Sequence, residues 1–99
     1  MITEIARITV KPGMHQEFEA GLDKAIPHFR RATGCHGVDL FHCIESPDEY
    51  RLLVRWQTVE NHTVDFCGSS DFEEFRKLVW HCFASPPAVE HVRQVIHGF

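Results

Sequence analysis

YRLLVRWQTVENHTVDF, residues 50–66, reads as a buried strand that turns directly into a helix. Tyr50, Leu52, Val54 and Trp56 alternate along the strand and share one face, while Arg51, Leu53 and Arg55 share the other. Thr58 suits an N-cap, and Glu60 suits the positive first turn of a helix. Val59, His62, Thr63 and Phe66 then fall at i, i+3, i+4 and i+7, the spacing of a core-facing stripe. The stripe puts His62 on the inward face, apart from Glu60, Asn61 and Asp65. Because strand and helix are contiguous, His62 and Trp56 are expected to line one space between helix and sheet. A chemical site is expected there, with Leu52, Val54, Phe66, Phe72 and His91 as further lining.

Ile2 to Val10 reads as the first strand, with Ile2, Ala6, Ile8 and Val10 on one parity and Ile5 and Thr9 on the other. Lys11-Pro12-Gly13 breaks it. Met14 to Ala32 reads as a helix, with Met14, Phe18, Leu22, Ile26 and Phe29 as its apolar stripe. Pro27 is expected to bend that helix and Gly34 to terminate it. Gly37 to Glu45 reads as the second strand, and Ser46-Pro47-Asp48-Glu49 turns it into a hairpin with Tyr50 to Trp56. After the helix Val59 to Phe66, Gly68-Ser69 interrupts. Ser70-Asp71-Phe72-Glu73 then opens a third helix as a capping box. Phe72, Phe75, Val79 and Cys82 or Phe83 form its stripe, Pro86-Pro87 ends it, and Ala88 to Ile96 is the last strand.

The order is strand, helix, strand, strand, split helix, strand. It predicts an α+β, ferredoxin-like βαββαβ fold in one domain over residues 1–99: a four-stranded antiparallel sheet with helices on one face. The uncovered face still carries Leu53, Phe41 or Leu40, and Ile5 or Ile8. A two-fold homodimer through the open sheet face is therefore expected.

Ninety-nine residues supply one core and little more. A 43 % apolar and 24 % charged composition is that of a globular protein. The net charge of -4, without a Lys/Arg cluster, argues against nucleic acid and anionic membrane partners. No segment reads as a membrane span, and MITEIARITV reads as a strand rather than a signal peptide, so a cytoplasmic location is expected. Cys35, Cys43, Cys67 and Cys82 lack any C-x-x-C spacing and read as reduced, mostly buried thiols. His81 and Cys82 are expected to diverge as helical neighbours, and there is no H-E-x-x-H, so no metal is expected. No Gly-rich phosphate loop appears, so no nucleotide or flavin cofactor is expected.

Six stretches, taken together, carry a resemblance: VKPGM (10–14), FRRATGC (29–35), RLLVRW (51–56), ENHTVDF (60–66), SSDFEEFRKLV (69–79) and ASPPAVEH (84–91). In this order they resemble the antibiotic biosynthesis monooxygenase domain, a dimeric α/β-barrel family of ferredoxin-like subunits that includes small quinol monooxygenases. The resemblance implies a substrate held between helices and sheet in each subunit, and oxygenation without a cofactor. In one enzyme of the family a Trp ends the strand, as Trp56 does here. The Tyr that transfers protons there falls at His62, and a helping Asn falls at Leu52. The heme-degrading branch needs an Asn, a Trp and a His that fall at Ala6, at Asp65 or Phe66, and at Phe75 or Arg76. None of them matches.

The expected chemistry is monooxygenation of a small aromatic hydroquinone or phenol by dioxygen. A neutral His62 takes a proton from the ring hydroxyl, and Trp56 orients the ring by stacking. At reference values the transfer is uphill by about 5 kcal/mol. The site must therefore stabilise the anion, and His91, Arg93 and Asn61 are the candidate donors. Two plainer readings stand beside it. A strand-end Trp ordinarily anchors a core, and a His on an apolar helix face is ordinarily a hydrogen-bonded core residue. On those readings the protein is a non-catalytic small-ligand-binding or stress-associated protein. A non-oxidative isomerase or decarboxylase using His62 is the third.

Overall fold

Tyr50, Leu52, Val54 and Trp56 are all at most 2 % exposed, so the alternation that marks β3 (Glu49–Trp56) is also its burial pattern. A computed structural model describes residues 1–99. β3 lies between β1 (Ile2–Thr9) and β2 (Cys35–His42), and β4 (Ala88–Val92) pairs with the outer side of β1. The order β2-β3-β1-β4 is antiparallel throughout, which is the ferredoxin-like arrangement.

α1 (His15–Arg30) crosses the helical face of the sheet and buries Phe18, Leu22, Ala25 and Phe29. It runs through Pro27, whose carbonyl still accepts from the Arg31 N–H at 3.2 Å. Gly34, at φ +75°, carries the chain out of this helix region, and only a glycine fits there. A Cβ would meet the Asn61 side-chain oxygen at 2.2 Å. Gly21 serves a different need. Its missing Cβ admits the Leu78 carbonyl, which would otherwise lie 2.4 Å from it.

α2 (Asn61–Phe66) is wound as a π-helix. The chain already turns helical at Val59, ahead of the π-helix, and Thr58 caps that turn: Thr58 Oγ1 accepts from the Asn61 N–H at 3.2 Å, while Asn61 Oδ1 accepts from the Thr58 N–H at 3.0 Å. α3 (Ser70–Val79) begins one residue before the expected box. Ser69, not Ser70, is the N-cap, with its Oγ accepting from the Phe72 N–H at 3.2 Å. A 3₁₀ turn, Trp80–Cys82, follows.

Two strand boundaries differ from expectation. The last strand stops at Val92 rather than Ile96, because β1 offers it partners only from Thr3 to Arg7. The second strand runs Cys35–His42 rather than Gly37–Glu45, with an irregularity between Cys35 and Gly37. Register also decides the open face. Ile8 pairs with Tyr50 and Leu40 with Leu52, so both belong to the helical side. Ile5 faces Leu53 across β1 and β3 on the open side, with Phe41 and Val92 exposed nearby on the same side. No helix is long and apolar enough to cross a membrane.

Candidate functional site

Glu4 is the residue that composition hides. It sits in β1 opposite Val54 of β3 and His91 of β4, on the helix-facing side with Ala6 and Ile8, and it is only 6 % exposed. The Trp56 indole N–H donates to Glu4 Oε1 at 3.0 Å. His62 Nε2 lies 3.4 Å from the same oxygen. His62 Nδ1 is 2.8 Å from His91 Nε2, so one of those nitrogens donates and the other accepts. The His62 ring stacks on Trp56, with centroids 5.6 Å apart and planes 17° from parallel. Trp56 and His62 thus converge on one carboxylate, with His91 behind His62.

Burial controls the charges. It pushes Glu4 up to about 7, against the Trp56 hydrogen bond, which favours the ionised form. Burial also drives His62 down to about 4, and His91 beside it acts in the same direction. Near neutral pH, His62 is a neutral imidazole and Glu4 is close to half-protonated. A group poised near the ambient pH takes and returns protons with least penalty.

This cluster borders a cavity of about 420 Å³ between the sheet and α2 and α3. Its walls are mostly apolar, with Phe29, Phe75, Phe83 and Val89 among them. Of the residues expected to line it, His62, Leu52, Phe66, Phe72 and His91 do so. Trp56 and Val54 do not. Both are 0 % exposed inside the packed core, and Trp56 lies against His62 and Phe66. Trp56 therefore reaches the cavity only through the groups it holds.

The candidate donors separate cleanly. Asn61 is taken up by Thr58 and Asp65, and Arg93 lies beyond the end of β4. Arg51 and Arg55 pair with Glu49 and Asp39. The cation on the cavity wall is Arg76 of α3, which lies over the Phe72 and Trp80 rings and has no carboxylate partner. Glu4 had a signal in the sequence: it shares the parity of Ile2, Ala6, Ile8 and Val10. Arg76 had none, since it follows Phe75 on a helix where Glu73, Glu74 and Lys77 are all exposed. Away from the cavity, His81 and Cys82 do not diverge. The 3₁₀ turn brings both toward Glu17.

Residues 1–78 match the family described as antibiotic biosynthesis monooxygenase. An uncharacterized protein, YczJ, of Bacillus subtilis (strain 168) is 37 % identical over 95 residues, spanning 96 % of this chain and 100 % of that protein. A crystal structure of a candidate antibiotic biosynthesis monooxygenase from Bordetella bronchiseptica superposes with a TM-score of 0.95 at 56 % identity, covering 96 % of this chain and 97 % of that one. Rv0793 from Mycobacterium tuberculosis, at 23 % identity and TM-score 0.79 over 99 % of this chain and 98 % of that one, shares the fold. The chain belongs to the antibiotic biosynthesis monooxygenase family.

Proposed function

We propose that the protein is a cofactor-independent monooxygenase for a small aromatic hydroquinone or phenol. The observation that carries this reading is a proton-accepting cluster, Glu4, His62 and His91, on the wall of an apolar cavity of aromatic size. Apolar walls bind the ring, and the cluster removes its hydroxyl proton.

The magnitudes favour Glu4 as the final acceptor. Moving a proton from a phenol near roughly 10 to a group at about 7 costs about 4 kcal/mol. Moving it to a group at about 4 costs about 8 kcal/mol. His62 then acts as a neutral relay between His91 and Glu4, accepting on one ring nitrogen as it releases from the other. Arg76 is the cation near the anion so formed. The anion gives an electron to dioxygen, and the ring radical and superoxide recombine to form the C–O bond. Cleavage of the O–O bond leaves one oxygen on the ring and releases the other as water. A hydroquinone plus dioxygen thus yields a hydroxyquinone plus water, with both electron pairs drawn from the substrate.

A homodimer through Ile5, Leu53, Phe41 and Val92 belongs to the same proposal, because it removes those side chains from water. A second reading, a non-oxidative isomerase or decarboxylase, draws on the same proton relay. Dioxygen uptake with a panel of hydroquinones decides between them. Uptake with oxygenated product supports the first reading, and product formed without dioxygen supports the second.

A further inference from the structure

Outside the cavity, three metal-ligating side chains from two elements meet. Glu17 projects from α1, and His81 and Cys82 come from the 3₁₀ turn. His81 Nε2 is 2.6 Å from Glu17 Oε2, and the Cys82 thiol donates to that same oxygen at 3.7 Å. All three ligand atoms lie within 4.8 Å of one another. We propose that Glu17, His81 and Cys82 form a binding site for a divalent zinc ion.

The donor set fits that ion. Zinc takes thiolate, imidazole and carboxylate together, and one thiolate with one carboxylate neutralises its charge. Metal bonds of about 2.3 Å to sulfur and about 2.0 Å to nitrogen or oxygen, at a tetrahedral angle, separate ligand atoms by roughly 3.3 to 3.5 Å. Cys82 and Glu17 are already near that separation. His81 and Glu17 stand closer because a hydrogen bond now joins them. Replacing that hydrogen bond with the ion needs an opening of about 0.7 Å between His81 and Glu17, and His81 and Cys82, within 4.8 Å of each other, must draw together toward about 3.5 Å. The His81 and Glu17 side chains are about half exposed, so rotation suffices, while Cys82 is fixed in the core at 0 % exposure. The thiol proton passes to solvent on binding, and water completes the fourth position from the exposed side. Lys11 is the neighbouring cation. Its backbone N–H donates to the Cys82 carbonyl, and its own side chain is exposed, so the ammonium stays in water.

The site has a structural consequence. Trp80 and Phe83, on either side of the two ligands, both border the cavity. An ion there ties α1 to the turn that holds that wall.

The test is a zinc titration of the full-length chain against a chromophoric competitor, with metal content measured after dialysis. One tightly held zinc per chain is expected. His81→Asn and Glu17→Gln, both at exposed positions, should each weaken binding by more than about tenfold while leaving the circular dichroism unchanged. Cobalt(II) in place of zinc should give a thiolate-to-metal absorption band that Cys82→Ala abolishes. Should that core variant fail to fold, the two exposed variants still decide. Zinc bound equally by wild type, His81→Asn and Glu17→Gln overturns the proposal, as does a cobalt complex with no thiolate band.

Discussion

The Trp56 indole N–H donates to Glu4 Oε1 at 3.0 Å, and both groups are buried. The indole is thus a brace for a carboxylate, and it reaches a bound ring only through that carboxylate and the His62 ring stacked on it. Trp56→Phe keeps an aromatic face for His62 and removes the donor. It should cost about 1–3 kcal/mol of stability in a denaturant melt. It should also raise the pH midpoint of any Glu4-dependent activity, because the lost hydrogen bond favours the ionised form.

Stability should be nearly flat between about pH 4.5 and 6.5, because two buried groups oppose each other there. Glu4 is raised from 4.5 to about 7, so its contribution is full below 4.5 and is lost as pH rises to about 7. His62 is lowered from 6.5 to about 4, so its penalty is full below 4 and is relieved as pH rises to 6.5. Each change spans about 3 kcal/mol. Glu4→Gln should unmask a rise in stability with pH over the His62 window, and His62→Asn a fall over the Glu4 window. Chemical denaturation at stepped pH reads both slopes. Identical pH profiles for the two variants would contradict the assignment.

Leu53→Lys should separate the protein into monomers without unfolding it. Leu53 faces Ile5 on the open sheet face, where a lysine meets water in a monomer and a second copy in a dimer. Sedimentation velocity at micromolar concentration should give a dimer for wild type and a monomer for the variant. A monomeric wild type would remove this surface from the account.

Arg76→Met should slow turnover by roughly tenfold to a hundredfold, since it removes the one cation on the cavity wall while keeping the methylene stem over Phe72 and Trp80. The effect should fall mainly on kcat, because the charge it answers develops only when the substrate loses its proton. An unchanged kcat with a raised KM would make Arg76 a binding residue instead.

The alternation of Tyr50 to Trp56 was enough to read the sheet, and the i, i+3, i+4, i+7 spacing of Val59 to Phe66 was enough to turn His62 inward. Strand and helix periods are local, so they survive in the sequence. Glu4 was passed over because carboxylates are rarely buried unless paired, and its partners stand 52 and 58 residues away along the chain. Val54 and Trp56 share the face of Leu52, yet parity cannot say which residues on a buried face meet a hollow and which meet packing. The meeting of His81 and Cys82 at Glu17 depended on α3 tightening into a 3₁₀ turn, a change of pitch that leaves no mark in the apolar stripe.

Dioxygen uptake by Glu4→Gln, followed across pH 5 to 9 with a hydroquinone that the wild type oxygenates, bears most directly on the buried carboxylate as proton acceptor. Wild-type uptake should rise through a midpoint near 7, and the variant should lose both that rise and about two to four orders of magnitude in rate. A folded Glu4→Gln protein with the wild-type rate and the wild-type pH profile would contradict it.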